Sequence, residues 1–170
     1  MAYWLLKSEP EAFLEADPMA APRDVPVTLA DLERIRRSLW DGVRNYQARN
    51  FLRSMQPGDL AFFYHSSTEP PGVVGLCRVV RTGVADPTQF DPHSEYHDPA
   101  AQPEKPRWWT VEVEFVQRFG RMVSLETLRQ TFTPDELWVV RRGNRLSVMP
   151  VSEEAARRIL ELAGEAVGSP

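Results

Sequence analysis

Residues 40–53 read Trp40-Asp41-Gly42-Val43-Arg44-Asn45-Tyr46-Gln47-Ala48-Arg49-Asn50-Phe51-Leu52-Arg53. Ala48, Phe51, Leu52 and Met55 recur at i, i+3, i+4 and i+7, which predicts an amphipathic helix from about Asn45 to Met55. Ahead of it, Trp40-Asp41-Gly42 interrupts an earlier helical spacing of Leu29, Leu32 and Ile35 or Arg36. Thr28 can cap that earlier helix, with Asp31 in its first turn. Behind the block, Pro57-Gly58-Asp59 is a turn. Leu60 to His65 then has enough apolar residues for a strand buried on both faces. Helix following helix, then strand following strand, does not fit a parallel doubly wound sheet.

Working outward, Tyr3 to Leu6 reads as an opening strand, ended by Lys7-Ser8-Glu9-Pro10. Gly72 to Val80 is a strand with an internal glycine, which signals a bulge or a close backbone approach. Thr110 to Val116 alternates, with Val111, Val113 and Phe115 on one face and Thr110, Glu112 and Glu114 on the other. Ser124 starts a short helix through Leu125, Leu128 and Arg129. Leu137–Val140 and Arg145–Met149 read as two short strands around Gly143-Asn144. Ser152 caps a final helix with Glu153 and Glu154 at its positive end, and Ala156, Ile159, Leu160 and Ala163 form its buried stripe. The expectation is one α+β domain over residues 1–170: roughly five to seven strands in a curled mixed sheet or small barrel, with about four helices.

With 170 residues, 42% hydrophobic and 26% charged, the chain is neither disordered nor membrane-spanning in composition. No apolar run approaches the roughly 18 residues of a membrane helix, and the N-terminal one is too short for a signal peptide. The single cysteine, Cys77, excludes an internal disulfide and a multi-thiolate zinc site. A soluble, cytoplasmic, monomeric protein without membrane attachment or cofactor is expected. The net charge of −4 argues against coating a polyanion. It is unevenly spread, however. Residues 34–53 hold six arginines and one aspartate, whereas residues 86–104 hold five acidic residues and no Lys or Arg. Four prolines between Pro10 and Pro26, and five between Pro87 and Pro106, predict two long irregular loops.

No phosphate loop, dinucleotide fingerprint, zinc spacing or nucleophile elbow is present. His93, His97 and Asp98 could hold a metal, but Pro92 and Pro99 bracket them and favour a solvated loop. Cys77 with His65 could form a nucleophile and base, but Cys77 lies in an apolar strand and reads as a small hydrophobe. His65 reads equally as a hydrogen-bonded strand-end histidine. In the opening block, a helix start favours phosphate, Arg44 and Arg49 are bidentate phosphate donors, and Trp40 is a flat wall for a base. A core tryptophan, a glycine turn and a solvated helix face fit the same residues. Lys7-Ser8 and Tyr64-His65 end their strands in groups able to stack and hydrogen-bond.

Tyr3 to Pro10, Trp40 to Arg53, Gly58 to Ser66, Thr88-Gln89-Phe90, Tyr96-His97-Asp98-Pro99, Pro106-Arg107-Trp108 and Arg145 to Val151 together resemble the EVE-domain family, in family order over nearly the whole chain. The resemblance implies a PUA-like pseudo-barrel. It also implies a non-enzymatic reader of a modified base in DNA or RNA, with 5-methylcytosine or an oxidised form the usual ligand. By analogy with the related YTH domains, Lys7-Ser8 and Trp40 would line the base pocket. As a reader, the chain would use Ser8 with main-chain groups at Gly42 and Val43 to read the edge of the base. Tyr64, His65, Tyr96 and Asp98 are candidates for the pocket's other walls. Lys7, Arg44, Asn45, Arg49 and Arg145 would hold flanking phosphates in a local positive mouth. A nucleic-acid-processing enzyme using His65, His97 and Asp98 is the alternative, as is an interaction module using the acidic loop 86–104.

Overall fold

The computed structural model describes residues 1–8 and 28–165. The strand Leu60–His65 (β3) is its pivot. Leu60, Phe62 and Tyr64 enter one hydrophobic core, and Ala61 and Phe63 enter a second. This is the two-sided burial that its apolar run implies. Each of the two phenylalanines, fully buried, contributes about 1.5–3 kcal/mol.

β3 pairs in parallel with Tyr3–Ser8 (β1), from Tyr3 opposite Leu60 to Ser8 opposite His65. Its other edge pairs antiparallel with Gly72–Ala85 (β4). β4 pairs with Trp109–Ser124 (β5), β5 with Arg37–Leu39 (β2), and β1 with Val148–Val151 (β6), all antiparallel. The order is β2-β5-β4-β3-β1-β6. The mixed sheet expected from the sequence is therefore present, open rather than closed, with β2 and β6 as its edges. Register shifts punctuate β4 and β5 and let these long strands bend. Gly75 sits at one of them. A Cβ there would come 2.3 Å from the Gln117 carbonyl and 2.5 Å from Leu29, so the close approach predicted for this strand is real.

Helices Leu29–Ile35 (α1) and Tyr46–Ser54 (α2) cover one face of the sheet, adding Leu29, Leu32, Ala48 and Leu52 to the second core. Thr28 and Asp31 form a reciprocal capping box on α1, and the Asn45 side chain caps α2 at Ala48 N–H, 2.9 Å. Leu125–Thr131 (α3) and Glu153–Leu162 (α4) carry the first core, capped by Ser124 and Ser152 as expected. In the stripe of α4, Ala156, Ile159 and Ala163 are buried, but Leu160 is only half-buried. Asp59 ties the sheet to the N-terminus by accepting from Ala2 N–H, Gln56 N–H and the Trp4 indole. Burial raises its pKa, but these hydrogen bonds leave it below the ordinary value.

Three expectations need correction. The hairpin around Gly143-Asn144 does not form: Trp138–Val140 is a 3-10 turn, and the strand begins only at Val148. Val139 and Val140 are both buried, which alternation in a two-sided hairpin would forbid. Second, β2 follows α1 directly, because Arg36 turns the chain at φ 73°. Three residues offer too short a pattern to announce an edge strand. Third, the acidic loop after β4 is built around a buried residue rather than solvated throughout. Gln89 is fully buried; its amide donates to the Asp86 and Trp108 carbonyls and accepts from the Arg107 and Trp108 N–H groups, all within 2.8–3.0 Å. The loop expected between Pro10 and Pro26 lies outside the described residues.

Candidate functional site

The candidate residues fall into two groups. The first surrounds the bend between β2 and α2. Trp40 is 7% exposed and meets Phe63 edge-on, ring centroids 5.3 Å apart. Its carbonyl accepts from the buried Thr110 hydroxyl. Gly42 turns the chain at φ +84°, and a Cβ on it would lie 2.8 Å from the Tyr96 ring. Gly42 N–H donates to Asp86 at 2.8 Å, and Val43 packs into the second core. Arg44 reaches Asp86 at 3.1 Å, Thr88 at 2.9 Å and the Tyr96 carbonyl at 2.6 and 3.0 Å. Its guanidinium therefore binds the loop that carries the chain's acidic run. Asp86 itself is 2% exposed. Thus part of the basic tract is neutralised by the acidic loop, and another arginine, Arg37, faces Glu114 across the β2–β5 edge at 3.5 Å.

Next to this bend, Trp108 is buried and its indole donates to Asp98 at 2.7 Å. That bond, then the Ala100 amide, outweighs desolvation and holds the Asp98 carboxyl below its ordinary pKa, with Arg107 and Arg44 adding charge. Arg49 donates to Asn50 and to the Arg107 carbonyl. Asn45 is committed to capping α2.

The second group lies at the parallel ends of β1 and β3. Ser8 is buried, and His65 is half-buried beside it in register. His65 meets Phe63 edge-on at 5.5 Å, so Trp40, Phe63 and His65 form a row on one face of the sheet. Nε2 of His65 accepts from Leu29 N–H at 3.2 Å, which requires a neutral ring. Burial, and then the Arg118 charge, keep its pKa below the ordinary value. A cleft of about 170 Å³ opens here, lined by Thr28, Leu29, His65, Val74, Arg118 and Phe119 among others. Tyr64 points to the opposite face, into the first core, with the Lys7 ammonium 5.9 Å from its ring. Burial pushes its hydroxyl up to about 12 against the Arg129 charge. Arg145 is exposed on the turn before Ser147, whose carbonyl accepts from Lys7 N–H.

The structure thus brings Trp40, Gly42, Val43, Arg44 and Tyr96 together, and Ser8 with His65, but it does not bring Tyr64 to Trp40. Asp86, Gln89 and Trp108 are organising residues that sequence reasoning did not single out, and Phe63 enters it only as part of the strand-end run Phe62 to Ser66, with no role of its own. Phe63 could have been inferred from strand parity, since it shares a face with His65. Gln89 and Trp108 stood in matched blocks without any role attached. Cys77 is buried, with its thiol pushed up to about 12, as a small hydrophobe would be. Among the described residues, no three His, Cys, Asp or Glu side chains gather as metal ligands, and no helix is long and apolar enough to cross a membrane.

This architecture, a mixed open sheet with a Trp-Asp-Gly bend buttressed by an acidic loop, matches a known family. The EVE domain model covers residues 2–162, and the chain belongs to the EVE-domain family. Thymocyte nuclear protein 1 of Mus musculus is 40% identical over 169 residues, spanning 94% of this chain and 73% of that protein. Among solved structures, a Pseudomonas syringae protein is 45% identical with a TM-score of 0.83, covering 95% of this chain and 99% of its own. The human THYN1 protein in complex with 5-methylcytosine-containing DNA is 35% identical with a TM-score of 0.81, covering 98% and 99%.

Proposed function

We propose that this chain is a non-enzymatic reader that takes a modified base, 5-methylcytosine or an oxidised form, from DNA or RNA. The observation that carries the reading is its likeness to the human THYN1 protein solved with 5-methylcytosine-containing DNA. The pocket we assign uses Trp40 as the stacking wall, the main chain at Gly42 and Val43 with Tyr96 as the rim, and Ser8 and His65 at the strand ends. Phe63 holds Trp40 and His65 in line. Lys7, Arg49 and Arg145 hold flanking phosphates, while Arg44, Asn45 and Asp98 position the walls. Two candidate acid–base groups are already engaged: His65 accepts a main-chain N–H, and Asp98 accepts the Trp108 indole. This supports binding without turnover. We take the protein to act as a monomer, off the membrane. A cytoplasmic location remains part of this reading, although the animal relatives are nuclear proteins by name.

Extruding a base costs a few kcal/mol, and one aromatic stack returns about 1–3 kcal/mol, so phosphate contacts must supply the rest. The test is binding of matched oligonucleotides, modified and unmodified, single- and double-stranded, DNA and RNA, across ionic strength. The modified strand should bind more tightly, and Trp40→Phe should narrow the difference without unfolding the protein. Equal binding of both strands at every salt concentration would sink the proposal.

A further inference from the structure

Tyr46 is one of only two exposed large hydrophobic side chains among the described residues, 49% exposed; Met1 is the other. Its ring lies nearly parallel to Trp108, with centroids 4.9 Å apart and planes 19° apart. Trp108 cannot yield, because its indole is bonded to Asp98 and its main chain to the buried Gln89. Tyr46 is thus an outward aromatic face on a rigid backing. The Arg49 guanidinium stands 4.8 Å from its ring centroid, and Arg107 stands 5.9 Å away and donates to its hydroxyl. Tyr46, Arg49 and Arg53 recur at i, i+3 and i+7, so they share one face of α2 along ~10 Å. Arg53 in turn lies over Trp109 at 5.4 Å. No Asp or Glu occurs in α2. Asp98 accepts from the Trp108 indole and lies 3.7 Å from Arg107.

An exposed ring flanked by guanidiniums on an acid-free helix face matches the chemistry of a single-stranded nucleotide, a π-face carrying a phosphate. An acidic peptide would use the arginines but not the ring. We propose that Tyr46, with Arg49, Arg53 and Arg107, is a stacking platform for the nucleotide next to the one being read. The proposal rests on the reader function above. It adds a second contact, one that is indifferent to base modification and is met only by a strand of more than one nucleotide.

The experiment measures affinity of the full chain and of Tyr46→Ala for 5-methylcytidine monophosphate and for a single-stranded trinucleotide centred on 5-methylcytosine. Unmodified counterparts and a trinucleotide with abasic neighbours complete the set. Tyr46→Ala should bind the intact trinucleotide about tenfold more weakly, and the monophosphate as the parent does. Its preference for the modified base should be unchanged. With abasic neighbours the parent should fall to the level of the variant, and Tyr46→Phe should retain most of the affinity. Equal trinucleotide binding by parent and Tyr46→Ala overturns the platform, as does a loss of the same size on the monophosphate. If the parent shows no preference for the modified base, the reader function fails. The trinucleotide comparison between parent and variant still reports on the platform.

Discussion

The bend around Asp86 and the strand ends around His65 solve the same problem, holding polar groups beside a core, in opposite ways. At the bend, charge is matched by charge. Arg44, Asp86, Gly42 N–H and Thr88 form one closed set, with Asp86 2% exposed. At the strand ends, a neutral imidazole accepts a single main-chain N–H beside an open cleft. The bend is therefore stiff and costly to disturb, whereas the strand ends are adjustable. If both line the pocket proposed above, the base would meet one fixed wall and one adaptable wall.

Removing the centre of the stiff cluster should have the largest effect. Asp86→Ala leaves Arg44 partly buried without its carboxylate and should cost about 3–5 kcal/mol in urea unfolding; a loss within error would mean that the bend is not held by charge. Gln89→Leu comes next. It leaves the Arg107 and Trp108 N–H groups without their acceptor and takes one of two donors from each of the Asp86 and Trp108 carbonyls, and should cost about 2–3 kcal/mol, with tryptophan fluorescence reporting a loosened loop. Smaller and purely electrostatic, Arg145→Ala should weaken modified and unmodified single strands alike. It should also flatten the salt dependence of binding by about 0.7 in log–log slope.

The smallest effect is the response of the adaptable wall to pH. The pKa of His65 is depressed in the fold, so the unfolded chain binds its proton first as pH falls. Stability should be constant above the ordinary histidine range and decline as pH drops from that range through the lowered folded value. His65→Gln, which keeps an acceptor but does not titrate, should remove that part of the decline. An unchanged pH profile in this variant would separate His65 from α1.

Much of the fold was legible because its signals are local. The caps at Thr28, Ser124 and Ser152 need only neighbouring residues, and so does the two-sided run Leu60–His65; Asn45, read as a phosphate contact, is a cap instead. The site was legible mainly through its resemblance to a family, and less so in its geometry. Tyr64 and Trp40 look alike as aromatic candidates, yet strand parity sends Tyr64 to the other face. The partnership of Arg44 with Asp86 spans 42 positions, and nothing in either neighbourhood announces it. Local charge counts described two tracts separately, while the fold cancels one partly against the other.

The position of β1 has a consequence in time. It lies inside the sheet, between β3, whose residues begin at Leu60, and β6, whose residues begin at Val148. Six early residues therefore wait for partners far along the chain before they can be enclosed, and such distant closures slow folding. Until Val151 is in place, one edge of β1 stands unpaired. β1, which carries Ser8 of the pocket proposed above, would then be among the last parts of the molecule to mature, with an open edge exposed to misassociation on the way.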